Sequence, residues 1–181
     1  MTLIQRLRKK YKPRKIKYLL IAESPPECIG DNTRFFYNEK QDKYDFLFKS
    51  IMACLFLNFE TNYKKEDKDK YLEKFKNAGF FLIDASDEPL NDLSEIDRKK
   101  RILLKIKRKI KEIENLKSEE TLIFLIKKNI YNIFNCRLKD MGYNVVNNKF
   151  LPFPCCGHQK EFKMKFKKYL HQLNIYEHLN A

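Results

Sequence analysis

Four short apolar runs, separated by segments of helical periodicity, constrain this chain more than any other feature. They occupy residues 16–22, 80–83, 121–126 and 143–146. Each is continuous rather than alternating, the mark of a strand buried on both faces. Between and after them, apolar residues recur at helical spacing over about 44–57, 67–77, 94–115, 129–139 and 159–173. Ala78-Gly79 reads as a helix stop ahead of the second run, and Ser94 with Asp97 as a capping box opening the long basic helix. Strand and helix in alternation predict an α/β fold: three layers, α/β/α, around a central four-stranded parallel sheet with right-handed crossovers. In such sheets ligands bind beyond the carboxyl ends of the strands.

The 181 residues suit a single domain over 1–181, with residues 1–15 read as a basic leader. Formal net charge is +14, which attracts polyanions, chiefly nucleic acid or an anionic membrane surface; a merely solvated lysine-rich face is the other account of it. The first seventeen residues hold no apolar stretch long enough for a signal sequence or a membrane span, so the expected setting is the cytoplasm, without membrane attachment. The five cysteines, Cys28, Cys54, Cys136, Cys155 and Cys156, are odd in number and form no CxxC pair. Neither a disulfide framework nor a metal site is expected, and no cofactor.

On a parallel sheet the functional edge gathers the loops after each strand. These are Glu23-Ser24-Pro25-Pro26, Asp84 to Pro89, Lys127-Lys128-Asn129 and Phe153-Pro154-Cys155-Cys156-Gly157-His158. The segment from Glu27 to Asn38, with Gly30, Asp31 and Asn32, suits a long irregular loop carrying Phe35 and Phe36. Those two rings either stack on a ligand or anchor the loop in the core.

Leu20-Ile21-Ala22-Glu23-Ser24-Pro25-Pro26 resembles the first motif of the uracil-DNA glycosylase superfamily in its Gly-Glu-Ala-Pro-Gly form. Arg34-Phe35-Phe36-Tyr37 lies where that family keeps an aromatic to stack on the extruded base, and Phe81-Leu82-Ile83-Asp84 where a strand ends in a base-reading asparagine. The order of strands and helices is similar along nearly the whole chain. Ala22 and Pro26 stand at two motif glycines, Asp84 at the asparagine, and Phe153-Pro154 at the closing His-Pro; the cysteine ligands of the iron-sulphur branch are missing.

The resemblance implies a hydrolase that flips a deaminated or damaged base, uracil or a relative, and cleaves its N-glycosidic bond during DNA repair. Its partner is then DNA, with the protein a nucleoid-associated monomer. Cleavage passes through an oxocarbenium-like sugar, which a carboxylate stabilises while orienting water; Glu23 is the candidate, with His158 a shifted replacement for the family histidine. The base and sugar would meet Ser24, Pro25, Phe35, Phe36, Asp84 and Phe153. Strand phosphates would meet Arg98, Lys99, Lys100, Arg101, Lys127, Lys128, Gln159 and Lys160. Two other classes fit the same residues: a non-catalytic nucleic-acid-binding protein on this scaffold, and a hydrolase of nucleotides or nucleosides.

Overall fold

The computed structural model describes residues 1–27, 33–41 and 43–180. Cys28 and the expected loop residues Gly30, Asp31 and Asn32 lie outside the described residues. Strands β1 (Tyr18–Ala22), β2 (Phe80–Asp84), β3 (Leu122–Leu125) and β4 (Asn144–Val145) form one sheet in the order β2-β1-β3-β4, with every pair parallel. The expected α/β class and parallel four-stranded sheet are therefore observed.

The chain moves from β1 outward to β2, then back across β1 to β3 and on to β4. Because parallel crossovers are right-handed, this reversal puts the first crossover on one face of the sheet and the next two on the other. The first contains α2 (Phe46–Leu55), α3 (Phe59–Asn62), a 3₁₀ turn over Lys65–Asp67 and α4 (Lys68–Asn77). The other two contain α5 (Glu95–Leu104), α6 (Ile106–Leu116) and α7 (Lys128–Asp140). Helix α8 (Gln159–Gln172) returns to pack on α2, with Phe166 edge-on to Phe124 of β3. Helix α2 is buried over most of its length, packed against α8, α3 and the short helix over Ile175–Asn180.

Four expectations are corrected. Residues 1–15 are no loose leader: α1 (Leu3–Lys10) is closed by a reciprocal box between Thr2 and Gln5, buries Ile4, and leads to buried Tyr11, whose ring stacks on Tyr37. The long basic helix breaks at Lys105, whose N–H turns back to the Ile102 carbonyl while Lys105 and Lys109 reach Glu88 and Asp87. β4 is shorter than its apolar run, because the Asn147 amide takes over the ladder. Its Oδ1 accepts from Leu125 N–H at 2.9 Å and its Nδ2 donates to the Leu125 carbonyl at 3.0 Å. Finally α9 (Ile175–Asn180) follows α8, and Asn180 donates to the Leu55 carbonyl at the end of α2.

The free edge of β2 is also closed by a side chain. Ala85 N–H bonds to Ala22, so by alternation the backbone of Leu82 faces away from β1. The buried Tyr37 hydroxyl accepts from Leu82 N–H at 2.7 Å and donates to the Leu82 carbonyl at 3.2 Å. Both outward backbone groups of that residue are thereby satisfied without a neighbouring strand.

Candidate functional site

Backbone pairing of β1 and β2 runs past their ends, with Ser86 N–H bonded to the Glu23 carbonyl. Two prolines then halt the chain after β1, and it opens into a cavity of about 410 Å³. Ser24, Pro25, Phe35, Phe36, Asp84 and Phe153 all line it. These are the six residues expected to meet a base and sugar, drawn together from four separate stretches of sequence. Arg34, Tyr44, Asp45, Phe46, Asn91 and Cys155 complete much of the wall. Cys155 belongs to the expected functional edge and Arg34 to the family-like stretch, whereas Tyr44, Asp45, Phe46 and Asn91 were not anticipated; Tyr44 and Phe46 sit at the mouth of a helix whose start was read from periodicity alone.

Asp84 is the cavity's most unusual group. It is 3% exposed, and its Oδ2 accepts an Arg8 guanidinium N–H at 2.7 Å. Burial raises its carboxyl against the opposing pull of Arg8 and Lys109, pushing it up to about 6. Below about pH 6 the protonated acid can both donate and accept, whereas the ionised form only accepts. Arg8 comes from the supposed leader. The Thr2-x-x-Gln5 box is the sequence signal that marks a folded helix there.

Glu23 lies behind the cavity wall rather than in its lining. Its Oε1 accepts from the Asn129 amide and its Oε2 from Lys127, with Arg98 at 3.5 Å. Lys127 itself holds φ +82° and ψ 141°, a region almost reserved for glycine, fixed by its N–H bond to the Leu151 carbonyl at 2.7 Å. Glu23 thus ties the end of β1 to the start of α7, at the point where the strand order reverses. Its carboxylate is directed to these partners and does not line the cavity.

The other expected positions divide. Phe36 lines the cavity but its ring is set among Tyr37, Phe48 and Phe75, a core arrangement. Phe35 is buried, with the Arg8 guanidinium 5.7 Å from its centroid. The His158 side chain is 58% exposed, lies 3.4 Å from Glu161, and takes no part in the lining. Arg98 is consumed internally, donating to the Leu93 and Asn91 carbonyls at 2.8 Å, and Lys127 is spent on Glu23. Lys99, Lys100, Arg101, Lys128 and Lys160 are exposed, while Gln159 is half-buried beside a second hollow.

Burial and the neighbouring Cys156 thiol raise the Cys155 thiol, which disfavours a thiolate nucleophile at the cavity. Among the described residues no group of three or more His, Cys, Asp or Glu is placed to hold a metal ion, and no helix is long and apolar enough to cross a membrane. Compared with known proteins, the chain matches no family model, no curated protein and no solved structure.

Proposed function

We propose that the cavity receives a single base extruded from DNA, and that the chain is a glycosylase-like hydrolase of the uracil-DNA glycosylase kind. One observation carries this reading: six residues chosen as base and sugar contacts line one cavity at the carboxyl ends of β1 and β2. Its volume falls within the range of about 300–1,000 Å³ usual for small-molecule sites. Aromatic and proline walls suit a planar heterocycle, and stacking there offsets the cost of leaving the helix.

The roles follow from geometry. Of the two carboxylates in the wall among the described residues, Asp45 is engaged by buried Lys68, and Asp84 is assigned to hydrogen-bond the base edge or to support positive charge on the sugar. Glu23 acts through position, holding the loops after β1 and β3 in register. In the reaction the glycosidic bond breaks with its electron pair leaving on the base, water adds to the sugar carbon, and the proton that water releases ends on the departed base. A non-catalytic base-binding role is favoured by two facts: Arg8 already pairs with Asp84, and Glu23 is engaged by Arg98 and Lys127.

The test is base release from oligonucleotides carrying uracil and other deaminated or damaged bases, scored as free base plus an abasic site. Release that is lost in Asp84→Asn while binding persists supports the enzyme. Lesion-selective binding without release across the panel supports the binding protein. Activity on free nucleosides, indifferent to added DNA, would replace both with a nucleoside hydrolase.

A further inference from the structure

Beside the cavity lies a second hollow of about 340 Å³, and Phe46 lines both. It is walled by Lys49, Tyr63, Gln159 and Lys163 among others, so α2 and the start of α8 form a continuous shelf leading away from the cavity mouth. The rings along it are presented to solvent. Tyr44 is 55% exposed and Phe46 37%, with centroids 6.1 Å apart. Tyr44 adopts φ +62°, a left-handed conformation that is strained for a residue carrying a side chain.

Cations flank the two tyrosines of the shelf. The Arg34 guanidinium is 5.4 Å and the Lys43 ammonium 5.2 Å from the Tyr44 centroid, and the Lys49 ammonium is 5.9 Å from that of Tyr63. Lys163 adds a fourth positive group, bonded at 2.7 Å to Glu60. Exposed rings alternating with positive charge, on a chain of net charge +14, match a polyanion that carries its own flat apolar faces.

We propose that this shelf binds single-stranded DNA, with bases stacking on Tyr44 and Phe46 while the neighbouring nucleotide enters the cavity. The direction of the strand rests on reading the cavity as a base site; the stacking itself does not. Single strands are required because a duplex covers both faces of every base with its neighbours, leaving nothing for an exposed ring to stack upon. Phosphates between the stacked bases fall beside Arg34, Lys43 and Lys49. The shelf is distinct from the basic face of α5, where Arg98 is already consumed by backbone carbonyls.

The experiment measures fluorescence anisotropy of labelled oligothymidylate, against a duplex of equal length and an RNA strand of matching sequence. Single-stranded DNA binds tightest. Tyr44→Leu, an exposed change that leaves the core alone, weakens it about 5- to 100-fold without altering the salt dependence, and Tyr44→Phe restores it. Lys49→Gln instead reduces the slope of log affinity against log salt by about 0.7. Equal or tighter duplex binding, or wild-type affinity in Tyr44→Leu, overturns the shelf, and tighter RNA binding overturns its assignment to DNA. Shelf binding that survives with neither base release nor lesion-selective binding overturns the cavity reading and leaves the shelf standing.

Discussion

Arg8 donates one N–H to Asp84 across 76 positions of sequence, at 2.7 Å, while the Nε of the same guanidinium is buried with no partner among the described residues. The pair joins the first helix to the end of β2 through one prong of a group built for two. Burial prevails over this contact, and Asp84 stays protonated to about pH 6.

That shift fixes the sign of a pH effect. The unfolded carboxyl loses its proton near 3.8 and the folded one near 6, so between those values the folded chain holds the extra proton. The stability contributed by this group is full below pH 4 and lost as pH rises to about 6, a swing on the order of 3 kcal/mol. Asp84→Asn removes the swing. Denaturant midpoints of the variant should rise relative to wild type between pH 4 and 7; a constant difference across that range contradicts the assignment.

Glu23→Ala leaves Lys127, Arg98 and Asn129 facing a vacated carboxylate site. Removing one partner of a buried pair costs about 3–5 kcal/mol, and here about 2–4 because Lys127 and Arg98 keep partial contact with water. Equilibrium unfolding checks this. A variant with unchanged stability but abolished base release would instead make Glu23 the catalytic carboxylate.

Phe36 and Phe153 line the same cavity and should part company when truncated. Phe36→Ala removes a ring packed on Tyr37, Phe48 and Phe75 and lowers stability by about 3–5 kcal/mol. Phe153 is only half-buried; Phe153→Ala costs about 1 kcal/mol or less yet weakens nucleic-acid binding at the cavity. Thermal melts beside binding isotherms separate the two.

Asn147→Ala deprives the Leu125 N–H of its acceptor, leaves the Leu125 carbonyl only the long bond from Leu151 N–H, and costs the Lys149 carbonyl a donor. Each buried group left unsatisfied costs about 1–3 kcal/mol, so a loss of roughly 2–4 kcal/mol is expected after local adjustment. Hydrogen exchange at the Leu125 amide should accelerate more than at Leu20, which retains strand neighbours on both sides.

The strands were legible because unbroken apolar runs such as 121–126 have few places to go except the middle of a parallel sheet. The cavity was legible for a related reason: once the strands are parallel, the loops carrying Ser24, Asp84 and Phe153 must emerge at one edge. What stayed hidden depends on partners distant in sequence. The direction of the Glu23 carboxylate is set by Lys127 and Asn129, more than a hundred positions on, and the role of Arg8 by Asp84. The break at Lys105 carries no proline or glycine and follows from carboxylates in another loop. Tyr44 and Phe46 escaped notice because exposed rings leave no periodic trace.

The Tyr37 hydroxyl that occupies both outward groups of Leu82 also determines what the molecule does not do. An extended peptide approaching that border meets a phenol where it would need a hydrogen-bonding backbone, and recruitment of a fifth strand from a second copy is denied at its central rung. One oxygen atom closes that rung, and Tyr37→Phe would leave the Leu82 N–H and carbonyl unpaired beside a ring that still fills the space.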